Sequence, residues 1–323
     1  MAPAILQANF IDVCILNLDV CQIGRKWCGG NFIRIENVTD FNLAHTLECG
    51  QSFRWKRVDD GYYGVVDGRL LNIFQDGEAL VVKSSAEEDH NQLEVFLNHY
   101  LDLNRNLPLV LEAVDIDTTI HRAIETFWGM RILNQDVWEC IASFILSQNN
   151  NVPRTKGLIE TISARFGEKL TFANRVDYTF PTPLSLAQAG VDALFDCRMG
   201  YRAPYLWEAA SVIAAGKCDL QALKILPYAE AKLELMGFQG IGEKVADCVC
   251  VFSLGHIEAI PIDVWMKRII EHVYLRRRAS IREIREFAQN YFGEFLGYAQ
   301  QYLFHYGRTV GFEQSLTAKP GGG

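Results

Sequence analysis

Two apolar periods divide this chain, and the change between them restricts its fold more than any single motif does. From about residue 31 to 83 apolar residues recur in short alternating runs: Phe32-Ile33-Arg34-Ile35, Ser52 to Val58, Tyr62 to Val66, Arg69 to Phe74 and Leu80 to Val82. Asp60-Gly61, Asp67-Gly68 and Asp76-Gly77 separate them. Alternation broken by Asp-Gly describes an antiparallel meander, because Asp-Gly suits the tight turns that join twisted strands. Residues 91–105 turn helical, with Leu93, Phe96, Leu97 and Tyr100 on one face. From about residue 118 helical periodicity takes over and no further strand is expected. Val137 to Leu146 is almost wholly apolar, Arg154 to Phe166 is amphipathic with Gly167 placed as its C′ residue, and Pro204–Ala215 ends at Gly216. Val264–Tyr274, Ile281–Phe292 and Glu294–Tyr306 complete the helices. The expected class is α+β, a small antiparallel β domain over residues 31–117 followed by an all-helical domain over 118–315.

A chain of 323 residues is long enough for two such cores. Its net charge of −8 argues against a protein that holds nucleic acid by bulk charge alone. A local basic surface is still possible, since residues 265–286 carry Lys267, Arg268, Arg276, Arg277, Arg278, Arg282 and Arg285. No apolar run reaches the eighteen or so residues of a membrane helix. Nine scattered cysteines without a secretory signal fit a reduced chain. Cys14, Cys21 and Cys28 recur every seven residues, but no nearby histidine completes a zinc site. Residues 1–30 read as a disordered or loosely docked extension, or as an upstream mis-start, and residues 316–323 as a disordered tail.

The chemistry-bearing stretch is Gly237-Phe238-Gln239-Gly240-Ile241-Gly242-Glu243-Lys244-Val245-Ala246-Asp247-Cys248. Glycines on either side of Ile241 allow a tight turn into a helix, whose unpaired first N–H groups and dipole favour an anion. A P-loop is excluded because Glu243 precedes Lys244 and Val245 replaces the hydroxyl. The dinucleotide fingerprint fails at Val245 and lacks a leading strand. A helix–hairpin–helix turn remains. Lys244 lies in the first helical turn, where the dipole disfavours a cation. Asp263, in Pro261-Ile262-Asp263-Val264-Trp265, precedes an amphipathic run and reads as an N-cap. A nucleophilic amine with a fixed carboxylate is one reading. A surface lysine on an inert hairpin, with Asp263 as a plain cap, is the other.

The hairpin and Pro-Ile-Asp263 resemble the helix–hairpin–helix superfamily of base-excision DNA glycosylases. Together with Cys49-Gly50-Gln51-Ser52-Phe53-Arg54-Trp55, Ser147-Gln148-Asn149-Asn150-Asn151 and Gly200-Tyr201-Arg202-Ala203, they resemble the 8-oxoguanine DNA glycosylases over about residues 33–312. The resemblance implies a TBP-like β domain and a monomeric enzyme acting on double-stranded DNA that contains 8-oxoguanine. Excision opposite cytosine, by base flipping, and strand nicking as an abasic-site lyase are expected. Lys244 and Asp263 would be catalytic. Gly50, Gln300, Phe304, Cys248 and Pro261 would hold the base, with the Gly50 carbonyl reading the N7 proton. Asn149, Arg154 and Arg202 would meet the orphaned cytosine, with Tyr201 as the wedge. Gly240, Gly242, Gln239 and Trp265 would contact phosphate, although Trp265 stands where the family pattern usually has histidine. The resemblance implies no cofactor and no metal-ligating side chains, with a monovalent cation possible on hairpin carbonyls. No cysteine follows Cys250, which sets the chain apart from relatives carrying an iron–sulfur cluster. Location with the chromosome is implied: cytoplasmic (nucleoid-associated) in a bacterium, nuclear in a eukaryote. A glycosylase for an alkylated purine and a non-catalytic DNA-binding module are the alternatives.

Overall fold

A computed structural model describes residues 31–311, apart from residues 60 and 173. The expectations for residues 1–30, including Cys14, Cys21 and Cys28, and for residues 316–323 lie outside the described residues.

Five strands form one antiparallel sheet: β1 (Asn31–Ile35), β2 (Lys56–Val58), β3 (Gly61–Val66), β4 (Arg69–Asp76) and β5 (Ala79–Ser84). The spatial order β1-β5-β4-β3-β2 returns the first strand beside the last. At the β3–β4 turn Asp67 and Gly68 have φ of 48° and 75°, the paired left-handed residues of a type I′ hairpin. Helix α1 (Leu43–Glu48) precedes the meander, and α2 (His90–Tyr100) packs Leu93, Leu97 and Tyr100 against Ile33, Ile35 and Val82.

The run Ser52–Val58 is not one strand; only Lys56–Val58 pairs. Gln51 explains this. Its side chain is fully buried, donates to the carbonyls of Thr46 (2.9 Å) and Arg131 (2.8 Å), and accepts from the Leu133 amide (2.9 Å). Those bonds hold residues 49–53 as an irregular buried segment, and Cys49 and Phe53 pack into the helical core.

The helical domain comprises α3 (Leu107–Val114), α4 (Thr118–Thr126), α5 (Val137–Ser147), α6 (Val152–Phe166), α7 (Pro183–Asp196), α8 (Arg202–Ala214), α9 (Leu220–Leu223), α10 (Tyr228–Met236), α11 (Glu243–Ser253), α12 (Val264–Ile269), α13 (Ile281–Phe292) and α14 (Leu296–Thr309). Leu107, Val110, Leu111 and Val114 of α3 pack into the helical core. Helix α12 continues into a π-helical turn, Ile270–Leu275, ending at Arg276 in left-handed conformation (φ 54°). Side-chain caps start several helices: Asp136 accepts from the Glu139 amide (2.8 Å) and Asn151 from the Arg154 amide (2.9 Å), while Ser280 and Glu283 form a capping box.

Strands do not vanish after residue 118. β6 (Lys169–Phe172) and β7 (Arg175–Tyr178) form a hairpin, and Phe172 packs on Val65 and Leu70 of the sheet. With α2 on one face and this hairpin on the other, every residue of β3 is buried, which erases the alternation that a half-exposed strand would keep. Gly167 needs no left-handed geometry, since its φ is −90°. It is required by proximity: a Cβ there would strike the carbonyl oxygens of Thr179 and Ser163.

Candidate active site

The hairpin is built as a close approach. Gly240 has φ of 80°, and a Cβ there would run into the Tyr205 ring. Gly242 is the N-cap of α11 with no side chain capping it, and the space where its Cβ would stand is open. The first amides of α11 therefore face outward beside an exposed backbone. The turn after α5 is tied to this hairpin, because Gln148 donates from Nε2 to the Gly240 carbonyl (3.0 Å).

Below the hairpin the helices are fastened by a buried charge cluster that sequence reading missed. Asp247, with no exposed surface, accepts from Tyr228 Oη (2.7 Å), Lys232 Nζ (3.0 Å) and Arg285 Nη1 (2.9 Å). Glu243 meets the same two cations, Arg285 at 2.8 Å and Lys232 at 3.5 Å. Burial raises the Glu243 pKa, but Lys232 and Arg285 outweigh it and bring the net value down. Burial, then the Asp247 charge, push the Tyr228 phenol far up, so it remains a donor. The cluster joins α10, α11 and α13 and so fixes the hairpin's geometry. The buried acid was legible beside Val245, Ala246 and Cys248; its partners, distant in sequence, were not.

Lys244 and Asp263 line one recess of about 630 Å³ of empty space with Gly50, Cys248, Pro261, Gln300 and Phe304. The Lys244 ammonium sits 5.2 Å from the Phe144 ring centroid, and Phe144 stacks on Phe252 and meets Phe53 edge-on. Asp263 caps α12 by accepting from the Met266 amide (2.8 Å), which holds the carboxylate at the recess. Burial pushes the Cys248 thiol up to about 11 against the opposing charge of Lys244, so it stays neutral. Gln300 is 4% exposed and its Oε1 has no hydrogen-bond partner among the described residues, an acceptor left open at the recess. Gly50 has φ of 91°, a conformation that glycine tolerates and other residues rarely adopt.

The other expected residues lie outside that recess. Asn149, left-handed at φ 50°, donates from Nδ2 to Tyr201 Oη (2.8 Å), and Tyr201 is 46% exposed. Arg154 is exposed on the first turn of α6. Arg202 differs from expectation: it is 5% exposed, and its guanidinium donates to the carbonyls of Gln148 (2.7 Å) and Met199 (3.3 Å). Its donors brace the turn that carries Asn149 instead of facing outward. Gln239 is exposed on the hairpin, while Trp265 is exposed under Arg268, whose guanidinium lies 5.9 Å from the ring centroid.

Residues 34–141 match the 8-oxoguanine DNA glycosylase, N-terminal domain, and residues 142–294 match the HhH-GPD superfamily base excision DNA repair protein. The N-glycosylase/DNA lyase of Saccharomyces cerevisiae is 31% identical over 261 residues, covering 74% of this chain and 69% of the yeast protein. The chain belongs to the 8-oxoguanine DNA glycosylase family. Two solved structures agree. That of MBOgg1 in complex with a low-affinity DNA ligand is 38% identical, covers 89% of this chain and all of its own, and gives a TM-score of 0.84. That of the Clostridium acetobutylicum 8-oxoguanine glycosylase/lyase with double-stranded DNA containing cytosine opposite 8-oxoG is 31% identical, covers 88% and 99%, and gives 0.81. Family membership makes this chain a base-excision repair glycosylase and lyase whose substrate is DNA.

Within this glycosylase part of the basic stretch 265–286 is engaged in ion pairs. Arg277 pairs with Glu283 (2.9 Å), Arg282 with Glu286 (2.8 Å), and Arg285 is committed to the buried cluster. Arg268, His272, Arg276 and Arg278 surround one open recess at the π-helical turn, together with the paired Arg277 and with Lys267, which stands 3.8 Å from Glu271. Sequence reading also missed Phe53, Phe144, Asn150, Gln301 and Arg308 among the lining residues. Arg308 was detectable, since Gln300, Phe304 and Arg308 repeat at four-residue spacing on one helix face. Among the described residues no group of three or more His, Cys, Asp or Glu side chains could hold a metal ion.

Proposed function

We propose that the chain, as a monomer, removes 8-oxoguanine paired with cytosine from duplex DNA and then nicks the abasic strand. The observation that carries this is the convergence of Lys244, Asp263, Gly50 and Gln300 on one recess, with Cys248 and Phe304 beside them. A base inside a duplex is out of reach, so the nucleotide is flipped into that recess. The Gly50 carbonyl accepts the N7 proton that guanine lacks, and Gln300 meets the pairing edge. Phe304 and Cys248 cover the base faces, for which a neutral thiol is suited.

The Lys244 amine, after losing a proton, attacks C1′ as the bond to N9 breaks, and the base leaves with the bonding electrons and takes up a proton. Asp263 stabilises positive charge building on the sugar. Ring opening gives an imine between Lys244 and C1′; loss of a 2′ proton then expels the 3′ phosphate. Asn149 and Arg154 receive the orphaned cytosine, with Tyr201 filling the vacated stack. The outward amides of Gly240, Gly242 and Lys244 hold a phosphate, with Gln239 and Trp265 beside it. A monovalent cation on hairpin carbonyls would add to that contact. No further cofactor is needed for these steps, and the enzyme acts wherever the chromosome is kept.

Borohydride trapping on a duplex with 8-oxoguanine opposite cytosine tests the reading. A covalent protein–DNA adduct is expected, and Lys244→Gln abolishes it. Absence of the adduct with the intact protein, or equal trapping by the variant, would overturn the mechanism.

A further inference from the structure

We infer that Arg308 is a second lesion-reading residue, donating to the oxygen that oxidation adds at C8; this rests on the 8-oxoguanine reading above. Arg308 follows Gln300 and Phe304 on the face of α14 that lines the recess. Its Nη1 lies 2.6 Å from where a Cβ on Gly50 would stand, and its guanidinium carbon is 5.2 Å from the Phe304 ring centroid. It makes no ion pair among the described residues, although the guanidinium has five donors. An unpaired fork of donors is thus held against the glycine whose carbonyl accepts the N7 proton, on the ring that covers the base.

The chemistry of the lesion fits that pair. Oxidation turns the N7–C8 edge of guanine, an acceptor beside a C–H, into a cyclic amide: a donor at N7 beside an acceptor at O8. A carbonyl and a guanidinium side by side present the complementary acceptor and donor. Each alone reads half of the change, and undamaged guanine satisfies neither. The oxygen on the other side of N7, O6, is common to both bases and gives no discrimination. Arg308 is exposed and on a flexible stem, so it can withdraw to admit the base and fold back over it.

The test uses Lys244→Gln protein, which binds without cutting, with and without Arg308→Ala. Equilibrium affinities are measured for duplexes bearing, opposite cytosine, 8-oxoguanine, guanine, 8-oxoadenine or a tetrahydrofuran abasic analogue. Loss of Arg308 is expected to weaken binding of 8-oxoguanine and 8-oxoadenine duplexes about tenfold, the scale of one hydrogen bond to a charged donor. Binding of guanine and abasic duplexes should be unchanged. Arg308→Lys should recover part of the loss. Equal loss on the abasic duplex would make Arg308 a phosphate contact and overturn the inference. A loss shared by 8-oxoguanine and guanine but absent from 8-oxoadenine would move the contact to O6 and overturn the inference, and no loss anywhere would remove Arg308 from recognition. If Lys244→Gln protein with Arg308 intact fails to prefer 8-oxoguanine over guanine, the substrate reading fails and the inference falls with it.

Discussion

The observed cap and the proposed catalytic role share the one carboxylate of Asp263, and they can be separated by experiment. Its Oδ1 accepts from the Met266 amide and so starts α12, a contact worth about 1 kcal/mol. In the proposed mechanism its charge, at the recess with Lys244, stabilises the sugar cation. Asparagine is as good a cap as aspartate but carries no charge. Asp263→Asn should therefore leave the unfolding midpoint unchanged while lowering single-turnover base release about 10²- to 10³-fold, the effect of losing one preorganised electrostatic group. Asp263→Ala should lose both the release rate and about 1 kcal/mol of stability. Equal destabilisation by the two variants, with release intact in Asp263→Asn, would reduce Asp263 to a cap. This residue was legible in the sequence, because proline, cap and amphipathic run are local signals. Arg202 was not: whether a guanidinium faces outward or braces a carbonyl depends on a turn 54 residues away in sequence.

At the scale of elements, the proposed phosphate contact of the hairpin needs α10 and α11 held rigidly against each other. The Asp247 cluster supplies that rigidity, with Lys232 on α10, Asp247 on α11 and Arg285 on α13. Removing Asp247 leaves Lys232 and Arg285 with the exposed Glu243 as their remaining counter-charge, at a cost of up to about 3–5 kcal/mol. Asp247→Ala should lose that much in denaturant unfolding, and phosphate-dependent DNA binding should weaken with it. A loss below about 1 kcal/mol would show that the cluster's desolvation already cancels its attraction. The helices α5, α11 and α13 were legible from period and caps, and so was the meander from its Asp-Gly turns. The β6–β7 hairpin was not, because Lys169 to Tyr178 shows neither a long alternation nor an Asp-Gly turn. Its position is set by Phe172 reaching the sheet. The strand expected over Ser52–Val58 failed for a related reason, since the tertiary bonds of Gln51 override the local β pattern.

The whole molecule depends on how the sheet domain is seated on the helices, because Gly50 comes from one and Lys244 from the other. Gln301 donates to the Cys49 carbonyl (3.2 Å), Gln135 to the Gln51 carbonyl (2.8 Å) and Lys156 to the Trp55 carbonyl (2.8 Å). Arg54 reaches across to Ser163 Oγ (2.6 Å) and stands 3.7 Å from Glu139, whose side chain is 17% exposed. Burial pushes the Glu139 carboxyl up to about 7, with Arg54 opposing. A carboxyl raised in this way binds its proton more tightly in the folded than in the unfolded chain. Its contribution to stability is complete below the unfolded value of 4.5 and is lost as pH rises through about 7. His305 acts in the opposite sense. Burial, then the positive fields of His45 and Arg308, hold it down to about 4, so its contribution is present above its ordinary value of 6.5 and lost as pH falls toward 4. The two trends overlap in the native protein, and only a difference between proteins isolates one of them. Glu139→Gln keeps the shape and removes the titration, so its stability relative to wild type should rise between pH 4.5 and about pH 7 and level off by pH 8. The measurement is the unfolding midpoint of both proteins across that range. A difference that stays flat, or falls with rising pH, would mean that Glu139 is ionised throughout and that its pairing with Arg54 outweighs its burial at the joint between the domains.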